Sequence, residues 1–89
     1  MAWRAELDKS AEKELDKLDR QTATRILIFL NERVSSRDDP RSIGEALKGA
    51  KLGNLWKYRV GDHRIIADIQ DEVLRIYVVR LGNRREVYR

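Results

Sequence analysis

The sequence predicts an α+β domain: a short N-terminal strand, two helices, then an antiparallel β-meander, with the helices on one face of the sheet. Three observations point to it. Apolar residues recur at helical spacing between residues 8 and 34. From Leu55 onward the spacing changes to a period of two. The alternating runs are separated by short pairs suited to hairpin turns. At 89 residues a single domain over 1–89 is expected, with a modest core.

Ala2–Leu7 alternates, with Trp3, Ala5 and Leu7 on one side and Arg4 and Glu6 on the other, as a half-buried strand does. Asp8 reads as the N-cap of a first helix carrying Ala11, Leu15 and Leu18, and Asp19 as the N-cap of a second. The second helix has an apolar stripe of Ala23, Ile26, Leu27, Leu30 and Val34. Ile28 and Phe29 lie off that stripe and either pack under a neighbouring loop or form an exposed patch for a partner. Residues 35–40 read as a loop, Pro40 as the start of a helical turn over Ser42–Leu47, and Gly49 and Gly53 as marks of a connector.

Leu55–Val60, His63–Gln70 and Val73–Leu81 read as strands, joined by two-residue turns at Gly61-Asp62 and Asp71-Glu72. Such turns fix register. In the first hairpin Val60 then faces His63, Arg59 faces Arg64, Tyr58 faces Ile65, Lys57 faces Ile66 and Trp56 faces Ala67. In the second, Gln70 faces Val73, Ile69 faces Leu74, Asp68 faces Arg75, Ala67 faces Ile76, Ile66 faces Tyr77 and Ile65 faces Val78. Tyr58, Ile65, Ala67, Ile69, Leu74, Ile76 and Val78 thereby share one face, the core face. Lys57, Arg59, Arg64, Ile66, Asp68, Arg75 and Tyr77 share the other.

The charge is unevenly placed. Residues 1–47 hold 9 Lys/Arg and 10 Asp/Glu, while residues 48–89 hold 10 and 5, so the net +4 belongs to the second half. Asp68 opposite Arg75 is an ordinary cross-strand ion pair. Arg59 opposite Arg64 is not: like charges directly opposite destabilise a sheet, and a local rule broken without compensation marks a functional site. Lys57 adds a third cation, making a phosphate-sized positive patch. Leu81-Gly82-Asn83 reads as a turn, after which an extended Arg84–Tyr88 would aim Arg84, Glu86 and Tyr88 to one side. Glu86 reads as an orienting ion-pair partner, and Arg85 and Arg89 as solvated.

No cysteine is present and only one histidine, so thiolate chemistry, disulfides and a conventional metal site are not expected. No apolar run approaches the ~20 residues of a membrane span, and the N-terminus lacks a secretory pattern. A soluble cytoplasmic domain without membrane contact or cofactor is the expectation. A Lys/Arg/Tyr patch suits metal-free RNA cleavage, in which the substrate's own 2′-OH attacks the adjacent phosphate. Arginine supplies charge but no base. Proton transfer falls to Lys57, Tyr88 or His63; by parity His63 lies on the face opposite Lys57 and reads as a turn-flanking residue. These residues alone leave a phosphate-binding module and a small nuclease as alternatives.

LWKYRVGDHRII at 55–66 with RLGNRREVYR at 80–89 resembles the RelE/ParE superfamily of type II toxin–antitoxin toxins, and most closely its RelE branch. The resemblance covers the whole chain and implies the RelE-like fold. It also implies a ribosome-dependent mRNA interferase, an endoribonuclease that cuts mRNA in the ribosomal A site without a metal. The family's basic positions fall on Lys57, Arg59, Arg64 and Arg84, and its C-terminal tyrosine on Tyr88. Arg59 stands where the family often has lysine, which removes one proton carrier. Arg64 and Arg84 would hold the scissile phosphate, Lys57 and Arg59 would stabilise the transition state and the leaving 5′-oxygen, and Tyr88 would stack on a codon base. The implied partners are a RelB-like antitoxin, the small ribosomal subunit with mRNA, and operator DNA through the antitoxin complex. The ParE branch, which shares the fold but inhibits DNA gyrase without catalysis, is the alternative.

Overall fold

Alternating apolar residues in the second half of the chain build a sheet, and the helical first half covers one side of it. The structure, a computed structural model, describes residues 3–47 and 55–83. Five strands, β1 (Arg4–Leu7), β2 (Glu45–Ala46), β3 (Leu55–Val60), β4 (His63–Gln70) and β5 (Arg75–Asn83), lie in the order β1-β5-β4-β3-β2. The meander and β2 are antiparallel, but β1 runs parallel to β5, so the sheet is mixed. A tight hairpin obliges its strands to be antiparallel; β1 has no hairpin to its partner and is free of that constraint.

Helices α1 (Lys9–Asp16) and α2 (Arg20–Ile28) start at the expected caps. The Ala11 N–H donates to the Asp8 carboxylate at 2.8 Å and the Thr22 N–H to Asp19 at 3.2 Å. From Phe29 to Val34 the second helix widens into a π-helical turn, closed where the Ser35 N–H and hydroxyl both donate to the Leu30 carbonyl at 3.0 and 2.7 Å. Ala11, Ile26, Leu30 and Val34 pack against Tyr58, Ile65, Ala67, Ile69, Ile76, Val78 and Leu81. Trp3 joins them, its indole N–H donating to the Asp38 carbonyl.

Leu27 departs from the expected stripe: it is 36% exposed, beside Ile28 at 48%. Phe29 packs inward instead and meets Tyr58 edge-on, ring centroids 6.1 Å apart. At about 100° per residue, Phe29 lies roughly 60° to one side of Ile26 and Leu27 roughly 100° to the other, so the buried stripe cannot hold both.

The segment after Pro40 also differs from expectation. Pro40–Ile43 forms a single 3₁₀ turn, and Glu45–Ala46 pairs with Lys57 and Trp56 rather than continuing a helix to Leu47. Gly44 breaks the turn with extended backbone and lies against the Tyr58 ring. The connector containing Gly49 and Gly53 lies outside the described residues, as does Ala2.

The β3–β4 hairpin has the expected register at every position. Gly61 takes a φ of +58°, while Asp62 does not have a positive φ, as in a type II′ turn. The second hairpin is longer than expected. Asp71–Val73 makes a 3₁₀ turn and Leu74 adopts left-handed backbone (φ 52°, ψ 48°), so Gln70 pairs with Arg75 and Asp68 with Tyr77. Asp71-Glu72 has no glycine to supply the positive φ of a two-residue turn, so the chain closes over four residues. The slip is two residues, which preserves the faces and removes the expected Asp68–Arg75 pair. Arg41 secures this turn by a bidentate fork to the Asp71 carboxylate, which holds that carboxyl below its usual range. β5 begins at Arg75 and runs straight through Leu81-Gly82-Asn83, where the sequence predicts a turn.

Two stability effects follow from Tyr58. Its hydroxyl donates to the Pro40 carbonyl at 2.8 Å, and burial pushes its pKa up from 10.0 to about 12. Tyr58→Phe leaves that carbonyl unpaired and should lower stability in urea titrations by about 1–2 kcal/mol. The folded state keeps the phenolic proton where the unfolded chain releases it, so stability declines as pH rises above 10. The midpoint of the native protein should therefore fall more steeply than that of Tyr58→Phe between about pH 9.5 and 11. A methyl group on Gly44 would stand 2.8 Å from Tyr58 Cε1 and 3.2 Å from the Lys57 carbonyl. Gly44→Ala should cost about 1–3 kcal/mol, a fall of roughly 4–8 °C in melting temperature per kcal/mol.

Candidate nucleic-acid interface

With the helices on one side, the other face of the sheet is left to polar residues, and its charges separate by position. At the β4–β5 turn end the arginines are partnered. Arg75 donates to Gln70 at 2.6 Å and pairs with Glu6 at 3.7 Å, and its guanidinium lies 5.4 Å over the Tyr77 ring. Gln70 donates in turn to Asp68 at 3.0 Å, and Arg4 pairs with Glu6 at 3.6 Å. At the β3–β4 turn end the cations predominate. Register brings Lys57, Arg59 and Arg64 to this end of the open face.

Each of the three sits differently. Arg59 is exposed and pairs with no carboxylate among the described residues. Arg64, directly opposite, is only 9% exposed; its Nη1 donates to the Gly61 and His63 carbonyls, both at 3.1 Å. The guanidinium thus folds over the turn, which eases its repulsion with Arg59 and gives Arg64 a structural duty. No buried side-chain N or O among the described residues lacks a partner. The Lys57 ammonium lies 3.6 Å from Glu45, on β2 at the sheet edge.

Two residues of this face escape sequence reasoning. A helical turn over Ser42–Leu47 does not place Glu45 beside Lys57; the short strand β2 does. Arg80 would face the core in the expected register. A β-bulge prevents this: Ala67 pairs with Val78 but Ile66 with Arg80, leaving Val79 as the extra residue. Arg80 is therefore exposed on the open face, across Ile66 from Lys57. The signal is present as a break in alternation, with Ile76 and Val78 in one phase and Leu81 in the other.

His63 pairs with Val60 on the helix side, in a cleft shared with Thr22, Arg25 and Gly61. Arg84 and Tyr88, with Arg85, Glu86 and Arg89, lie outside the described residues; Asn83, which precedes Arg84, ends β5 opposite His63. Among the described residues no group of His, Asp or Glu is placed to hold a metal ion, and no helix is long and apolar enough to cross a membrane. The cations can bind phosphate, arginine by its fork and Lys57 as a point charge.

The fold has close counterparts. A chain of the RelBE2 toxin–antitoxin complex from Mycobacterium tuberculosis superposes with a TM-score of 0.82 at 21% identity, covering 97% of this chain and 95% of that one. An E. coli RelE toxin mutant in complex with an antitoxin RelBc peptide gives 0.74 at 25% identity, covering 99% and 92%. The archaeal RelE–RelB complex from Pyrococcus horikoshii gives 0.69 at 25%, covering 97% and 99%. No curated protein matches the chain in sequence. The model of the ParE toxin of type II toxin–antitoxin systems matches residues 5–88, nearly the whole chain. The fold and that match together place the chain in the RelE/ParE superfamily, as a toxin of a type II toxin–antitoxin system.

Proposed function

We propose that this toxin is a ribosome-dependent endoribonuclease that cuts mRNA in the ribosomal A site and so stops translation. The observation that carries the reading is the cluster of Lys57, Arg59 and Arg64 on the open sheet face, at the end where β5 leads into Arg84. Cations gathered on a surface without enough acids to pair them repel one another, and a polyanion relieves that repulsion.

The reaction forms a bond from the substrate's 2′-oxygen to the adjacent phosphorus and breaks the bond to the 5′-oxygen. It leaves a 2′,3′-cyclic phosphate on one fragment and a 5′-hydroxyl on the other. The 2′-hydroxyl proton passes to a base, and the leaving 5′-oxygen gains a proton. Arg64 and Arg84 hold the scissile phosphate and take up its developing charge. Lys57 and Arg59 stabilise the leaving oxygen, and Lys57 can also deliver a proton. Glu45 orients the Lys57 ammonium and tempers the local charge. Tyr88 stacks on a codon base and serves as an alternative proton carrier. A RelB-like antitoxin is the neutralising partner, operator DNA is bound through that complex, and the site of action is the cytoplasm.

A second reading is supported by the matching family model, which describes ParE toxins. In that reading the protein inhibits DNA gyrase and cuts nothing. Primer extension on mRNA in a purified translation system separates the two. Codon-positioned cuts are expected. Their absence, together with inhibition of gyrase supercoiling, sinks the nuclease reading. Arg84→Ala and Tyr88→Phe should each slow cleavage by about 10²–10³-fold while antitoxin binding stays largely intact. If both variants cut like the native protein, the site is misplaced. Arg64→Ala should also lower the melting temperature, because it removes two turn hydrogen bonds.

A further inference from the structure

We infer that Arg80 is an additional RNA-backbone contact of this chain, binding the phosphate next to the scissile one; the inference rests on the nuclease reading above. The bulge at Val79 is what puts it there. Without the extra residue, alternation along β5 would carry position 80 to the helix side with Ile76 and Val78. Bulges recur beside active sites, where they re-aim a side chain. Here the re-aimed side chain is an arginine, and it lands at the cationic end of the face.

The cross-strand rows define its neighbours. One row reads Lys57–Ile66–Arg80, and the next, nearer the turn, reads Arg59–Arg64–Gly82. Gly82 carries no side chain, so β5 contributes nothing beside Arg64, and Arg80 is the nearest cation on that strand. Lys57 and Arg80 flank Ile66, which is only 4% exposed although it lies on the face away from the helices. Their backbones are two strand spacings apart, about 10 Å. That span suits two cations serving neighbouring phosphates of one strand rather than a single phosphate.

Pairing separates Arg80, like Arg59, from Arg4, Arg64 and Arg75. Arg75 and Arg4 share Glu6, and Arg64 is tied to the turn carbonyls. Arg80 is exposed and has no carboxylate partner among the described residues. An arginine with no structural partner, re-aimed by a bulge into a cationic field, is suited to an anionic ligand. The RNA backbone is favoured over an acidic protein surface because the same face carries the proposed scissile-phosphate ligand Arg64.

A contact to a non-reacting phosphate acts equally in ground and transition states, so it affects binding rather than chemistry. In ribosome-programmed cleavage, Arg80→Ala should raise the half-saturating concentration of mRNA–ribosome complex about 5–20-fold with kcat within about 2-fold, and Arg80→Lys should recover most of the loss. Binding to an RNA blocked by 2′-O-methylation at the cut should lose roughly 0.7 to 1 from its log–log salt slope. Arg25→Ala, an exposed arginine on the helix side, is the control and should change neither quantity. Native protein that cuts, with Arg80→Ala matching it in half-saturation and salt slope, overturns the Arg80 contact and leaves the nuclease reading standing. Native protein that neither binds nor cuts RNA overturns both. Arg80→Ala that loses antitoxin affinity while RNA binding is unchanged assigns the residue to a protein contact and also overturns the inference.

Discussion

The register of the β3–β4 hairpin is the constraint on which the rest of the molecule depends. Side chains alternate across a strand, so a slip of one residue would exchange Tyr58, Ile65 and Ala67 for Lys57, Arg64 and Ile66 against the helices. The Gly61 backbone at φ +58° fixes the turn, and Arg64 reinforces it from above through the Gly61 and His63 carbonyls. One turn thus decides both where the core forms and where the cations collect. The remaining strands adapt to it: β5 follows β4 with a slip of two, then a bulge, and β2 closes the edge beside Lys57.

Tyr58 links this sheet to the loop above it. It is the buried aromatic of β3, donates to the Pro40 carbonyl, meets Phe29 edge-on and leaves no room for a side chain at Gly44. These contacts deliver β2, and with it Glu45, to the edge of the cationic patch. The patch is therefore held by the same packing that stabilises the fold. Arg64 shows the overlap most clearly, since one guanidinium both ties the turn and belongs to the cationic cluster.

The sequence is most legible where a local rule has one solution. Asp8 and Asp19 cap because a carboxylate ahead of an apolar stripe has donors to meet, and Gly61-Asp62 makes a tight turn because glycine supplies the positive φ. It is least legible where the outcome depends on distant partners. The parallel pairing of β1 with β5 is not encoded in the local pattern of either strand. The Asp71-Glu72 turn lacks a glycine, and its length is set by Leu74 entering left-handed backbone and by the Arg41 fork from another segment. The Arg59–Arg64 opposition reads correctly as a broken rule, but its relief by the turn carbonyls is visible only in three dimensions. Arg80 is hidden by the bulge, although the change of phase between Val78 and Leu81 announces it. Membership of the RelE/ParE superfamily is legible in the motifs at 55–66 and 80–89 and agrees with the whole-chain match.

The family contains both a nuclease branch and a gyrase-inhibiting branch, and the proposed mechanism belongs to the first. Its central claim is chemical: the RNA's own 2′-hydroxyl is the nucleophile, and the cationic face stabilises what that attack creates. The most direct measurement replaces a single nucleotide, the one on the 5′ side of a mapped cut, with its 2′-deoxy counterpart in a ribosome-bound message. The mechanism predicts that cleavage at that position disappears while the toxin still binds the complex. Undiminished cleavage of the 2′-deoxy message would contradict it.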